Sequence, residues 1–223
     1  MELGTWNLEL GTWNLELILP KIYPITDRWL TGFSHAEQVE KLINGGAEFI
    51  QLREKRASPK DFYEDAKAAV EIARRSGVKI IINDRVDIAL ALRADGVHLG
   101  QDDLPPAKAR EILGETAIIG FSTHSVRQAA EAVKLPVDYV AIGPVFATQT
   151  KENPDQIVGV EGVRRVREAI GDFPLVAIGG ITSENFREVF EAGADSLAVI
   201  KSVLFPSERI KENLQAFLST LPE

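Results

Sequence analysis

Cysteine is absent from this chain of 223 residues. Disulfide bridges, thiolate metal ligands and thiol nucleophiles are therefore excluded, and a reducing compartment is expected. Long apolar runs are also missing, because no stretch approaches the roughly 20 residues that a membrane-spanning helix needs. The first residues show no cationic segment followed by an apolar one, so we expect no signal peptide. These absences predict a cytoplasmic protein that does not enter a membrane.

Basic residues are fewer than acidic residues in this chain. The chain has 25 lysines and arginines against 33 aspartates and glutamates, which gives a net charge of −8. Because the two signs are interleaved, this balance argues against general binding to nucleic acids or membrane surfaces. It does not exclude anionic small molecules, since a few local cations can outweigh a distant net charge. We therefore expect small-molecule partners, and we leave a homo-oligomer open.

The N-terminus carries a tandem repeat that holds no chemical motif. Residues 2–8, ELGTWNL, recur as residues 9–15 and contain two of the three tryptophans. We expect residues 1–20 to form an extension without a catalytic role, whose apolar residues cover the bottom of the fold or a partner subunit. Residues 21–223 are expected to form one catalytic domain, because no linker or break in composition interrupts them.

Apolar runs suited to buried parallel strands alternate with longer segments of helical spacing. The predicted strands are residues 22–25, 49–52, 80–82, 96–99, 117–120, 139–142, 175–178 and 196–200. Strict alternation implies parallel pairing with crossover helices. The count predicts a single (β/α)8 TIM barrel of the α/β class, with an open doubly wound sheet as the alternative. In a TIM barrel the functional residues follow the C-terminal ends of the strands.

Basic residues follow the second predicted strand. Alternation along the chain places Gln51, Arg53 and Lys55 on one side as the strand ends. Arg53 could bind a diphosphate as a fork and Lys55 as a point charge, with Glu54 orienting one of them. A surface cluster of salt bridges is the alternative interpretation.

Acidic residues follow the next two strands. Asn83 and Asp84 follow the third strand, and Asp102 and Asp103 follow the fourth. Carboxylates on neighbouring strands can share Mg²⁺, which takes one or two carboxylates together with phosphate oxygens and water. Asp84 and Asp103 fit that role. The alternative is that these acids are N-caps of the helices that follow.

The strongest phosphate signal is the stretch 138–151, DYVAIGPVFATQTK. A buried strand ends there at a Gly-Pro pair, and a loop then presents Thr148, Thr150 and Lys151. Two hydroxyls and an ammonium at a strand end suit a phosphate, although an ordinary polar loop is the alternative. Gly179-Gly180 follow the seventh strand and Ile200-Lys201 the eighth, where barrels frequently bind phosphate.

The end of the fifth strand offers further polar groups. Ser122 is a candidate hydrogen-bonding group at the reacting centre, and Ser125 is expected to cap the next helix. His124 can be read either as a structural or as a catalytic residue. No pattern of serine, histidine and aspartate marks a nucleophilic triad.

Taken in order, these motifs resemble those of the thiamine-phosphate synthase family, from about Tyr23 to the C-terminal helix. They are QLREK at 51–55, ND at 83–84, GQDD at 100–103, Ser122, TQTK at 148–151 and GG at 179–180. The resemblance implies a transferase that joins hydroxymethylpyrimidine diphosphate to hydroxyethylthiazole phosphate and releases diphosphate. A dissociative substitution is implied, in which the thiazole nitrogen attacks a pyrimidine carbocation.

The resemblance also implies a role for each matching residue. The pyrimidine diphosphate would contact Gln51, Leu52, Arg53, Glu54, Lys55, Asn83, Ser122 and Lys151. The thiazole phosphate would contact Thr148, Gln149, Thr150, Gly180, Ile200 and Lys201. Asp84 and Asp103 would hold Mg²⁺, and the catalytic residues would be Ser122, Lys151, Arg53 and Lys55.

One position departs from the family pattern. Family members commonly have a serine directly after the apolar residues of the eighth strand, where this chain has Lys201 followed by Ser202. Two other functions stay open. One is a thiazole tautomerase of the same fold, because His124 resembles a residue that those enzymes use. The other is a non-catalytic protein that binds thiamine precursors for regulation.

Overall fold

The computed structural model describes residues 17–148 and 156–221, together with the backbone of two short antiparallel strands, Trp6–Asn7 and Thr12–Trp13. The predicted (β/α)8 barrel is confirmed, because eight parallel strands alternate with helices. The strands are β1 Ile22–Pro24, β2 Phe49–Leu52, β3 Lys79–Asn83, β4 Gly96–Leu99, β5 Ile118–Thr123, β6 Tyr139–Ile142, β7 Leu175–Ile178 and β8 Ser196–Val199. No helix in these described segments is both long and apolar enough to cross a membrane.

The helices lie between and after the strands. They are α1 Arg28–Thr31, α2 His35–Asn44, α3 Pro59–Arg75, α4 Val86–Leu92, α5 Pro106–Leu113, α6 Val126–Ala132, α7 Gly159–Ile170, α8 Phe186–Glu191, α9 Lys201–Leu204 and α10 Ile210–Ser219, with a 3₁₀ turn at Ser207–Arg209. Ser58 caps α3 and Ser125 caps α6 through their hydroxyl groups. The predicted cap at Ser125 is therefore confirmed.

The sheet closes on itself. Hydrogen-bonded neighbours run in the order β1, β8, β7, β6, β5, β4, β3, β2. The two ends meet at a parallel bridge between Ile25 and Gln51, beside which the Thr26 amide donates to the Gln51 carbonyl at 2.9 Å. The doubly wound open sheet is thereby excluded.

Strand β5 is longer than predicted. The sequence predicts it over 117–120, whereas the structure extends it to Thr123. The reason is that the polar residues Ser122 and Thr123 keep pairing with β6, where Ser122 is opposite Ala141 and Thr123 opposite Ile142. Ser122 therefore lies within the strand, so its position is set by the barrel rather than by a loop.

Alternate strand residues face the barrel axis and the helices. The inner cluster holds Leu19, Tyr23, Ile25, Phe49, Ile81, Tyr139, Ala141, Val176 and Ala198, and the larger outer cluster packs strands against helices. Leu19 is buried in the inner cluster and Leu17 packs against it, although both precede β1. The segment just after the repeat therefore closes the N-terminal end of the barrel. The repeat's own side chains lie outside the described residues, and the boundary at residue 20 stays a prediction.

The acids that follow β3 and β4 do not cap helices. Helix α4 begins after Arg85 and α5 after Pro105, and neither has a side-chain cap hydrogen bond. The N-cap interpretation of Asp84, Asp102 and Asp103 is therefore wrong. The physical reason is that Asp84 has already turned into the left-handed region, with φ of 63°, whereas N-cap residues typically adopt extended backbone angles.

An aspartate clamp recurs at the opposite end of the barrel. Asp95, Asp138 and Asp195 directly precede β4, β6 and β8. Their carboxylates accept backbone amides from the start of the preceding strand, at Ile80 (2.8 Å), Ile119 (2.6 Å) and Leu175 (2.8 Å). Arg110 of α5 and Arg167 of α7 also pair with Asp138 and Asp195. Each clamp ties two strands together, and two of them add a helix.

Asp138→Ala tests the contribution of one clamp. The substitution leaves the Ile119 amide without its acceptor, whereas the Arg110 guanidinium loses Asp138 but keeps backbone carbonyls such as that of Ala117. We expect the free energy of unfolding to fall by about 1–3 kcal/mol, because a buried donor loses its partner. Urea denaturation measures the change, with exposed Asp172→Ala as the control. Equal midpoints for the two variants would show that the clamp contributes nothing.

Candidate active site

A lysine and two aspartates come together at the C-terminal end of the strands. The Lys55 ammonium contacts the Asp84 carboxylate. The Asp103 carboxylate accepts the Gly100 amide at 2.6 Å. Burial raises the pKa of Asp103, and the nearby Asp84 charge raises it further, while the Gly100 amide and Lys55 act in the opposite direction. The predicted pairing of Asp84 and Asp103 in space is therefore present.

The backbone at Asp84 supports a functional role. Its φ of 63° is uncommon for a residue other than glycine, and such conformations cluster at functional sites. The Asp84 amide donates to the His98 carbonyl at 2.8 Å, so β4 holds the strained residue in place. This turn directs the carboxylate of Asp84 toward Lys55.

The donor set suits a hard cation that brings its own further ligands. Among the described residues, no group of three or more histidines, aspartates or glutamates is arranged to hold a metal ion. A complete cage of protein ligands is therefore absent from that part of the chain. Two adjacent carboxylates match Mg²⁺, which keeps several waters and binds substrate phosphates.

The Glu54 carboxylate is engaged by backbone amides of its own loop and by His35. Its carboxylate accepts the amides of Arg56 and Ala57 at 2.8 and 3.1 Å and lies 3.8 Å from His35. Burial acts to raise the pKa of Glu54, but these amides lower it overall. The amides of Lys55, Arg56 and Ala57 thus engage the Glu54 carboxylate, and the expectation that Glu54 orients Arg53 or Lys55 stays a prediction.

Other acids accompany the two basic residues. The Arg53 guanidinium lies 3.7 Å from Asp27, and the acid at Lys55 is Asp84. Arg53 is also held through its backbone, since its amide donates to the Thr26 hydroxyl at 3.3 Å. The loop thus presents both cations from a fixed main chain.

The candidate site residues of β2 and β3 face different layers of the barrel. Gln51 and Asn83 are buried, and the Asn83 Nδ2 has no hydrogen-bond partner among the described residues. An unsatisfied buried donor at a strand end is a group that a ligand can satisfy. Leu52 belongs to the outer cluster, so its side chain faces the helices. Any contact of Leu52 with a substrate would therefore be through its backbone.

The two histidines near β5 have different surroundings. His98 of β4 lies with its Nε2 2.8 Å from the Ser122 hydroxyl. His124 lies with its Nδ1 2.7 Å from the Gly143 carbonyl, and its amide donates to Gln128. The side chain of His124 thus supports the loop after β6, which agrees with the structural interpretation of this residue.

Two glycines let β7 approach the loop after β6. Gly179 and Gly180 have φ of 107° and 65°. A Cβ on Gly180 would lie 2.7 Å from the Ala147 carbonyl oxygen and from Phe146, so a larger residue does not fit. The loop continues the sheet here, because the Phe146 amide donates to the Gly179 carbonyl at 2.9 Å. Thr148 follows directly, so the predicted phosphate-binding residues of the loops after β6 and β7 are neighbours.

The end of β8 leads straight into the short helix α9. Ile200 precedes its first turn, and Lys201 is exposed. The Ser202 hydroxyl is buried without a hydrogen-bond partner among the described residues. This arrangement matches the short extra helix with which many TIM barrels bind phosphate. Gln149, Thr150 and Lys151 lie outside the described residues and stay predictions.

Sequence reasoning missed three polar residues inside the barrel. Tyr23, His98 and Tyr139 are buried, and hydrogen bonds connect them with Gln51 and Ser122. The sequence pattern that could have identified them is a tyrosine or histidine at an inward-facing position of a mainly aliphatic strand. That signal appears only once the facing of each strand is known.

The fold and the strand ends define a class: a TIM-barrel enzyme with a site for phosphorylated substrates at the C-terminal face. Comparison with known proteins narrows this class. The family model described as thiamine monophosphate synthase matches residues 22–203. This chain belongs to that family.

Individual relatives agree with the family match. The thiamine-phosphate synthase of Clostridium novyi is 48% identical over 185 residues, which cover 82% of this chain and 90% of that protein. The thiamine-phosphate synthase of Shouchella clausii is 41% identical over 204 residues, which cover 91% of this chain and 97% of the relative. The solved thiamine phosphate pyrophosphorylase of Pyrococcus furiosus superposes with a TM-score of 0.81 at 38% identity, covering 90% of this chain and 94% of that one.

Asp103→Asn tests the electrostatic strain between the acids. Because the pKa of Asp103 is raised in the folded state, ionising it at neutral pH costs folding free energy. Asparagine stays neutral and can still accept the Gly100 amide. We therefore expect a higher melting temperature for metal-free Asp103→Asn at pH 7. The gain should vanish below the ordinary pKa of aspartate and level off above the raised pKa.

The measurement is thermal unfolding in EDTA across a pH series. Asp102→Asn is the control, because Asp102 is the exposed neighbour. A metal-free Asp103→Asn protein that is less stable than the wild type at pH 7 would contradict the prediction.

Proposed function

We propose that this chain is a thiamine-phosphate synthase. It would condense 4-amino-2-methyl-5-hydroxymethylpyrimidine diphosphate with 4-methyl-5-(2-phosphoethyl)thiazole to give thiamine phosphate and diphosphate. The observation that carries the proposal is the cluster of Lys55, Asp84 and Asp103 at the mouth of a barrel from this family. A tautomerase has no diphosphate to bind, so this cluster favours the synthase.

The pyrimidine diphosphate is assigned to the β2 and β3 side of the mouth. Arg53 and Lys55 would bind diphosphate oxygens, and Asn83 would use its unpaired Nδ2. Asp84 and Asp103 would hold Mg²⁺, which when bound would neutralise charge on the departing diphosphate. Gln51 would contact the pyrimidine, while Leu52 and Glu54 would contribute through their backbone. Ser122 and Lys151 complete this half of the proposed site.

The thiazole phosphate is assigned to the β6, β7 and β8 side. The loop after β6 would contact it through Thr148, Gln149 and Thr150, and the loop after β7 through the Gly180 amide. Ile200 and Lys201 would add amides at the start of α9. The buried Ser202 hydroxyl stands one position after the serine that the family pattern expects, so it is a further donor toward the same phosphate.

The proposed reaction needs no protein nucleophile. The C–O bond at the pyrimidine methylene breaks, and diphosphate leaves with the bonding electron pair. The thiazole nitrogen then supplies the pair that forms the new C–N bond. The aminopyrimidine ring carries positive charge between these events, so the protein's work is to hold both substrates in line, stabilise the leaving group and exclude water. We place this reaction in the cytoplasm, with small phosphorylated molecules as partners and homo-oligomerisation as an open prediction.

One assay separates the three candidate functions. The purified chain is mixed with both substrates and Mg²⁺, and thiamine phosphate and diphosphate are quantified. Formation of both products in equal amounts supports the synthase. Isomerisation of a thiazole carboxylate phosphate without condensation would identify the tautomerase. Binding of thiazole phosphate without any turnover would identify a regulatory protein.

Asp84→Ala and Asp103→Ala test the metal assignment. Each removes one carboxylate from the proposed Mg²⁺ site, so we expect turnover to fall about 100-fold or more and the Mg²⁺ concentration for half-maximal rate to rise. Initial rates across a Mg²⁺ titration measure both effects. Asp87→Ala is a matched control, because Asp87 lies nearby but is 65% exposed and pairs with Arg85. Normal Mg²⁺ dependence in both site variants would overturn the assignment.

Thr148→Val tests the division between the two substrates. The change removes one hydroxyl while keeping the shape of the side chain. We expect the apparent KM for the thiazole phosphate to rise about 10-fold, as for loss of one hydrogen bond to a charged group, with little change for the pyrimidine diphosphate. Steady-state kinetics with each substrate varied in turn measures this ratio. Equal increases for both substrates would count against the division.

A further inference from the structure

A continuous line of hydrogen bonds crosses the interior of the barrel. The Gln51 Nε2 donates to the Tyr23 hydroxyl at 3.0 Å, and the Tyr23 and Tyr139 hydroxyls lie 3.0 Å apart. The Tyr139 hydroxyl lies 3.0 Å from the His98 Nδ1, and the His98 Nε2 lies 2.8 Å from the Ser122 hydroxyl. The line therefore joins a proposed pyrimidine contact on β2 to a proposed catalytic residue on β5.

The three middle residues are enclosed. Tyr23 is 1% exposed, Tyr139 is fully buried, and His98 is 8% exposed. Burial raises the pKa of both tyrosines well above the usual range, so their hydroxyls stay protonated. Buried polar groups that are fully paired resist reorientation, since breaking one bond leaves a donor or acceptor unsatisfied.

The barrel is shaped around the central tyrosine. A Cβ on Gly120 would lie 2.0 Å from the Tyr139 ring, so the glycine of β5 leaves the space that the ring fills. The Tyr139 ring stacks on the His98 ring with centroids 5.6 Å apart and meets the Tyr23 ring edge to face at 6.1 Å. Packing therefore fixes the rings, and the rings fix the direction of each hydroxyl.

The donor at one end sets the direction of the whole line. With Gln51 as the donor at one end, we expect the Tyr23 hydroxyl to donate to Tyr139 and the Tyr139 hydroxyl to donate to the His98 Nδ1. A neutral His98 then carries its proton on Nε2 and donates to the Ser122 oxygen. The Ser122 hydroxyl proton is then left for another acceptor.

We propose that Tyr23, Tyr139 and His98 are positioning residues that fix Gln51 and Ser122 together. The inference rests on the proposed function. Gln51, with its Nε2 held by Tyr23, would turn its carbonyl oxygen to an amino group such as that of the aminopyrimidine. Ser122, held by His98, would donate to an oxygen of the leaving diphosphate. Two residues connected by this line of hydrogen bonds would thus bind the two ends of the same substrate.

Kinetics of two phenylalanine variants test this role. Tyr139→Phe interrupts the line at its centre, so we expect the KM for the pyrimidine diphosphate to rise and kcat to fall, each about 10-fold. Tyr23→Phe releases Gln51 but leaves the bonds among Tyr139, His98 and Ser122 in place, so we expect the rise in KM with a smaller loss of kcat. The KM for the thiazole phosphate should stay within about twofold in both.

Tyr63→Phe is the matched control. Tyr63 is the one tyrosine of the chain outside this line of hydrogen bonds, and it packs on the outer cluster from α3. Removing its hydroxyl should therefore change neither KM nor kcat. A uniform loss of activity in Tyr139→Phe, with no split between the two substrates, would indicate a merely structural role and overturn the proposal. Tyr23→Phe decides the question if Tyr139→Phe does not fold.

A double-mutant cycle tests whether Tyr23 acts through Gln51. In the Gln51→Ala background, Tyr23→Phe should raise the KM for the pyrimidine diphosphate less than twofold, because the residue it positions is gone. Additive effects would overturn the proposal. A wild-type chain that makes no thiamine phosphate would instead refute the proposed function, and the inference about its substrate with it.

The histidine tautomer gives a readout that does not depend on turnover. The chain has three histidines, so ¹⁵N resonances can be assigned by single substitutions. We expect the His98 ring to carry its proton on Nε2 in the wild type and to lose this preference in Tyr139→Phe. A wild-type His98 protonated on Nδ1 would reverse the line and refute the assigned direction.

Discussion

The barrel and its site depend on one contact, the closure between β1 and β2. The Thr26 amide donates to the Gln51 carbonyl at 2.9 Å, and the fully buried Thr26 hydroxyl donates to the same oxygen at 3.2 Å. That hydroxyl also accepts the Arg53 amide and lies 2.7 Å from the His35 Nδ1. Thr26 therefore both closes the sheet and holds the loop that carries the basic residues.

A cluster of charged and polar side chains lies next to this closure. The Glu54 carboxylate lies 3.8 Å from His35 and 3.9 Å from Arg28, and the His35 amide donates to both oxygens of Asp65. Burial lowers the pKa of His35, so the ring favours its neutral form. Because Glu54 is engaged here, the loop can present Arg53 and Lys55 outward without a carboxylate of its own beside them.

Much of this structure can be predicted from sequence, and the exceptions have physical causes. The strand pattern predicts the barrel, and the barrel predicts which residues meet at its mouth, as Lys55, Asp84 and Asp103 do. The contacts of Glu54 with His35 and Arg28 cannot be predicted, because both partners are distant in the chain. The line through Tyr23 and Tyr139 likewise spans 116 residues, and no local pattern records it. Local spacing thus predicts positions better than it predicts partners.

The aspartate clamps give the two ends of the barrel unequal tolerance to change. The N-terminal end repeats one device at Asp95, Asp138 and Asp195, so each clamp stabilises only its own pair of strands. At the opposite end, by contrast, neighbours such as Asp84 and Lys55 depend on each other. Losing one clamp therefore leaves the other two in place, whereas losing Asp84 or Lys55 removes the partner of the other side chain.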